Sequence, residues 1–104
     1  MVAKGLWEIR KYSFIEMYPS PLHIAVRRGN QEVFQYILSK VLEKDSKDNN
    51  GMTPLHWVAK QGHADMCKIL LEYQVDKNSL SNIRWTPLHY AAITGHSDVC
   101  KILL

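Results

Sequence analysis

Ser20-Pro21-Leu22-His23 returns as Thr53-Pro54-Leu55-His56 and again as Thr86-Pro87-Leu88-His89, each copy 33 residues after the last. The register holds downstream without insertion. Gly29, Gly62 and Gly95 align, as do Glu32, Asp65 and Asp98, and so do the apolar pairs Ile37-Leu38, Leu70-Leu71 and Leu103-Leu104. A fixed period of this length marks a repeat architecture, in which a unit too small to bury its own apolar face stacks on its neighbours.

Each copy reads as two short helices. Ser20, Thr53 and Thr86 are N-cap residues whose hydroxyl accepts a backbone N–H of the first turn. Proline follows at the first helical position, where its missing N–H costs nothing. Histidine stands third and can reach back to the cap, as glutamate does in a capping box. In the second copy the first helix runs from Pro54 to about Gln61, and Gly62 ends it because the terminating residue adopts a left-handed backbone. A second helix follows from about Ala64 to Tyr73, with Met66, Cys67, Leu70 and Leu71 on one face. Val33, Phe34, Ile37 and Leu38 repeat that face in copy one, and Val99, Cys100, Leu103 and Leu104 in copy three. The stretch from Asp45 to Met52 is polar and turn-prone through Asp48-Asn49-Asn50-Gly51, which predicts a hairpin-like finger between helix pairs.

At these residues the chain resembles the ankyrin repeat family. The Thr-Pro-Leu-His boxes, the pairs Gly62-His63 and Gly95-His96 and the Leu-Leu helix ends carry the likeness over residues 20–104. The resemblance implies an all-α solenoid of stacked helix–turn–helix units with finger loops. Its repeats are about 20–47, 48–80 and 81–104, the last expected to be truncated. It also implies a concave protein-binding face formed by finger tips and first helices.

The departures are local. Arg84 stands where the family has glycine, so the third finger must either differ from the second or hold Arg84 at an awkward backbone angle. Val41 and Gln74 replace the glycine after the second helix. The turn before Pro21 would be Ile15 to Pro19, without Asp or Gly. Residues 1–19 do not fit the pattern. They read as a divergent N-terminal cap, an added strand (Tyr12 to Tyr18 is rich in aromatic and β-branched residues) or a flexible segment. At the other end, Val99, Cys100 and Leu103 are expected to face a missing neighbour, which predicts a fragment of a longer array or self-association through that face.

The bulk properties narrow the function classes. The 104 residues, 46% hydrophobic and 22% charged, suit one folded domain. No run approaches the roughly 18 apolar residues of a membrane helix, and no secretory leader is evident in residues 1–10. Two cysteines do not make a disulfide scaffold, so a reducing compartment, cytoplasm or nucleus, is expected. The net charge of +3 arises in residues 1–47, with eight Lys and Arg against five Asp and Glu; residues 48–104 hold five of each. That bias favours an acidic partner and falls short of the clustered basic element of a nucleic-acid binder.

Catalytic and metal chemistry fit poorly. His23, His56 and His89 sit at equivalent positions of units whose helices pack roughly 8–10 Å apart, too far to share a zinc ion with ligand distances of about 2 Å. The same spacing bars a Cys67–Cys100 disulfide, which needs Cα atoms within about 7 Å. His63/Cys67 and His96/Cys100 lie four apart on a helix, but Cys67 aligns with Phe34, a core position. His96-Ser97-Asp98 cannot form a triad because adjacent helical residues point apart; Ser97 reads as a cap and Asp98 as a complement to the helix dipole. No phosphate-binding glycine loop occurs. No enzyme activity, cofactor, metal or small-molecule substrate is expected.

A binding role puts specificity at positions that vary between copies and face solvent. These are Asn49, Asn50 and Met52 in the second finger, and Asn82, Ile83, Arg84 and Trp85 in the third. At the first-helix ends they are Arg27, Arg28, Lys60, Gln61, Ile93 and Thr94. Trp57 and Tyr90, next to the histidine boxes, are expected to line the same groove. Arg84 and Trp85 lead the set, because Trp and Arg dominate binding hot spots; the competing expectation folds Trp85 back on Met52. Another protein is the expected partner, and an acidic segment would suit Arg27, Arg28 and Lys60. The alternatives are a basic surface for nucleic acid or anionic lipid, or a regulatory arm of a larger enzyme or channel.

Overall fold

The computed structural model describes residues 20–104; the expectations for residues 1–19, including the first finger, lie outside the described residues. Six helices follow in pairs: α1 Pro21–Arg28 with α2 Gln31–Lys40, α3 Pro54–Gln61 with α4 Ala64–Glu72, and α5 Pro87–Thr94 with α6 Ser97–Leu103. No strand occurs among the described residues. Within each unit the two helices pack on each other, and α3 packs on both α1 and α5, so the middle unit joins the stack.

The first helices begin and end as their residues dictate. Ser20, Thr53 and Thr86 each form a reciprocal capping box with the histidine three residues on. Gly29, Gly62 and Gly95 close the helices with φ of 73°, 80° and 79°, a region that costs a residue with a Cβ. At Gly62 the need is double. The next unit's His96 ring lies against it, with Cγ only 2.8 Å from where a Cβ would stand.

The second helices are less uniform. Asn30 caps α2 through its side chain, which accepts from Val33 N at 3.1 Å. His63 and His96 hold the cap positions of α4 and α6 without a side-chain bond. Ser97 is therefore the first residue of α6 and not its cap. Gln74 takes the family's glycine conformation, with φ 62°. Its counterpart Val41 does not; α2 runs one residue further and leaves at Val41 in extended backbone, φ −84°.

Both described fingers are closed loops of one design. Asp48 N donates to Met52 O at 3.0 Å and Gly51 N to Asp48 O at 2.9 Å. Thirty-three residues on, Ser81 N donates to Trp85 O at 2.9 Å and Arg84 N to Ser81 O at 2.8 Å. Arg84 keeps that turn by accepting φ 64°, close to the 74° of Gly51. The turn is thus preserved and the strain falls on Arg84, the second of the two outcomes the sequence allows.

The core is a continuous layer of Leu22, Val26, Phe34, Leu38, Leu55, Val58, Met66, Cys67, Leu70, Ala91, Val99 and Leu103, drawn from all six helices. Val99 and Leu103 belong to it, at 0% and 4% exposure, because α6 turns them inward onto α4 and α5. The apolar surface left open at that end is a hollow of about 340 Å³ lined by Ala91, Ala92, Gly95, Ser97, Cys100, Lys101 and Leu104. Of the three residues assigned to the bare face, only Cys100 lines it.

Candidate protein-binding face

The finger fixes the site. Asp48 Oδ1 accepts from Asn50 N and Met52 N, both at 2.9 Å. Its Oδ2 accepts from Trp57 Nε1, also at 2.9 Å. One carboxylate therefore shapes the loop and anchors the indole of the helix that follows. Arg27 of the preceding unit lies over that indole, its Cζ 5.9 Å from the ring centroid, within cation–π range. His23 meets the same ring edge-on at 5.2 Å. Around this cluster a hollow of about 190 Å³ opens, lined by Arg27, Asp48, Asn50, Met52, Trp57, Lys60 and Gln61.

Six of those seven residues were expected on the binding face, and helices from two units bring them together. Met52 needs correction as a solvent-facing contact. It is 5% exposed, because finger closure places its N–H on Asp48 and turns its side chain inward. Asp48 is the residue that sequence reasoning missed. The signal was a pairing at nine residues' separation, for Ser81 and Tyr90 repeat it: Tyr90 Oη donates to Ser81 Oγ at 3.1 Å.

The third unit arranges its aromatics differently. Trp85 stacks on His89, centroids 5.8 Å apart and planes at 20°, and meets Tyr90 edge-on at 5.2 Å. Its ring is half-buried, packed against these two rings of its own unit. Asn82 is committed to the neighbouring finger: its N–H donates to Asn50 O at 2.9 Å and its Nδ2 to Asn49 O at 3.0 Å. Ile83, at 62% exposure, Arg84, Ile93, at 67%, Thr94 and Arg28 are open to solvent, but none lines the Trp57 hollow. Thr94 Oγ1 is bound to Tyr90 O at 2.6 Å.

The histidines join the units. In each box the Nδ1 accepts from the cap residue's N–H, at 3.2 Å for Ser20 and 3.0 Å for Thr53. That leaves Nε2 as the protonated nitrogen. His23 Nε2 donates to Met52 O at 2.7 Å, and His56 Nε2 to Trp85 O at 2.8 Å. The first two boxes thus each hold the next unit's finger, a bond that the local capping argument does not reach. Burial pushes both imidazoles below their ordinary pKa, against the upward pull of these carbonyl bonds.

The other candidate ligands have structural partners. His63 Nε2 donates to Gln61 Oε1 at 3.0 Å, and His96 Nε2 to Lys60 O at 3.2 Å. Cys67 is buried in the core, where burial pushes its thiol up to about 11, far from the thiolate that metal binding or nucleophilic attack needs. No helix among the described residues is long and apolar enough to cross a membrane.

Comparison with known proteins agrees with this architecture. The family model described as ankyrin repeats, three copies, matches residues 22–104. No curated protein matches the chain. Three units in register, the first helix of each opened by a capping box and closed by a left-handed glycine, are matched along most of the chain, and the protein belongs to the ankyrin repeat family.

Proposed function

We propose that the chain is a protein-interaction module whose partner seats across the fingers and first helices, centred on Trp57. Ankyrin repeats are in general protein–protein interaction modules. The observation that carries the site is the hollow at Trp57: two successive units and a finger converge on a fixed aromatic ring flanked by exposed polar and cationic side chains. Rigid aromatic surface beside Arg is what binding hot spots are made of. Arg84, Trp85, Tyr90 and Ile93 extend the face toward the third unit. We infer no catalytic role, since no group on this face has a base, nucleophile and orienting partner in line. A reducing compartment, cytoplasm or nucleus, suits two unpaired cysteines.

Affinity capture tests the reading when wild type is run beside Gln61→Arg, on the face, and Gln35→Arg, on α2 away from it. A partner retained by Gln35→Arg and lost by Gln61→Arg supports the face; equal loss or equal retention by the two removes it. The second reading, a nucleic-acid or anionic-lipid surface, draws on the exposed Arg27, Arg28 and Lys60. Competition by a polyanion such as heparin, with a steep loss of binding on added salt, separates it from the first.

A further inference from the structure

The cations flanking Trp57 are set for an external acid. Asp48, the carboxylate among the residues lining the hollow, has both oxygens engaged: Oδ1 by two backbone N–H groups and Oδ2 by the indole. Arg27 lines the hollow with its guanidinium carbon over the indole, 5.9 Å from the ring centroid. Lys60, its equivalent one unit on, lines the same hollow from α3 and is exposed. Among the described residues, neither cation is bonded to a carboxylate. An arginine already fixed by stacking loses little further freedom on binding a carboxylate.

Resting on the module reading above, we propose that the Trp57 hollow takes an extended acidic peptide segment with two carboxylates three residues apart and proline or another small apolar residue between them. The helices that carry Arg27 and Lys60 pack on each other, at an interaxial distance of roughly 8–10 Å. A polyproline-type backbone rises about 3.1 Å per residue with three residues per turn, so residues i and i+3 share a face about 9 Å apart. One carboxylate then meets Arg27 and the other Lys60. The residue between them rests on the indole, which takes proline rings well because a preformed extended helix has little entropy to lose. The hollow, about 190 Å³, has room for one small apolar group and not for a helix.

The indole N–H of Trp57 is a built-in reporter, identified by its loss from the NMR spectrum of Trp57→Phe. The probes are the blocked peptides Ser-Glu-Pro-Pro-Glu-Ser and Ser-Gln-Pro-Pro-Gln-Ser, and the single-stranded oligonucleotide of six thymidines. The proposal expects a saturable shift of that signal with the glutamate peptide. Binding should weaken by about tenfold or more with the glutamine peptide, in Arg27→Glu and in Lys60→Glu, and fall as salt is raised. Both substitutions are at exposed positions, and circular dichroism confirms that each variant is folded. Equal shifts with both peptides, or no saturable shift at millimolar concentration, overturn it; so does tighter binding of the oligonucleotide. A captured partner that is lost by Gln61→Arg yet indifferent to both charge reversals keeps the module and removes the acidic segment.

Discussion

Single residues decide how the fingers are shaped. Arg84 holds φ 64° where its counterpart is Gly51. A left-handed backbone costs an L-residue about 1–2 kcal/mol, and glycine returns part of that as unfolded-state entropy, about 0.5–1 kcal/mol. Arg84→Gly is therefore expected to stabilise the protein by up to about 1 kcal/mol, read as a higher urea midpoint at unchanged m-value. Asp48 is the opposite case. Asp48→Ala removes three hydrogen bonds and leaves the N–H groups of Asn50 and Met52 and the Trp57 indole to find water. A loss of about 1–3 kcal/mol is expected, together with an altered Trp57 indole signal even where the fold survives. Arg84 was legible in the sequence because the aligned glycine exposes the conflict. Asp48 was not, since its hold on Trp57 depends on a loop and a helix meeting in space. Met52 was misplaced for a related reason: alignment with Trp85 locates it in the finger, whereas burial depends on which way the closed loop turns the side chain.

At the scale of elements, the ends of the first helices were readable and the joints between units were not. Capping by Ser20, Thr53 and Thr86 and termination by three glycines are local chemistry and fall where the pattern puts them. The second role of the histidines has its acceptor 29 residues away, beyond any local rule. That role makes the joints sensitive to acid. His23 and His56 are both fully buried, with Nδ1 accepting from the cap residue's N–H, so a second proton on that nitrogen breaks this bond. Their folded pKa values lie below the ordinary 6.5, first through burial. As pH falls below 6.5 the unfolded chain takes up protons that the folded chain refuses, and stability drops until the folded pKa is reached. The slope is at most about 1.4 kcal/mol per pH unit for each histidine. Urea midpoints at pH 8.0, 7.0, 6.0 and 5.5 should accordingly stay level down to about pH 7 and then decline. In parallel, the ring signals of His23 and His56 should begin to titrate below the range of an exposed histidine. Midpoints level throughout would show that the joints carry no such linkage.

For the whole molecule, stacking distributes burial unevenly among units that look equivalent in sequence. Leu22, Leu55 and Leu88 occupy one repeat position, yet Leu22 and Leu55 are each 1% exposed while Leu88 is only half-buried. The difference follows from neighbours. α1 and α3 each have the first helix of a following unit packed on them and bury Leu22 and Leu55, whereas α5, with no such helix among the described residues, buries only Pro87 and Ala91. A repeat count read from sequence cannot show this, since the period assigns the three leucines one environment. In a stack held together by nearest-neighbour contacts, local stability follows the number of covered faces. Leu55→Ala is expected to cost about 2–5 kcal/mol, the range of a closed core position. It should weaken the whole stack, because α3 is the element that both other units lean on. Leu88→Ala removes the same atoms from a site with one side open and should cost about half as much or less. Denaturant unfolding gives the two values. Hydrogen exchange adds the spatial reading: amides of α3 and α4 should exchange most slowly, those of α5 and α6 faster, and Leu88→Ala should accelerate only the latter pair. If both leucine variants lost the same stability and accelerated exchange uniformly, the three units would behave as one indivisible core and the nearest-neighbour description would fail.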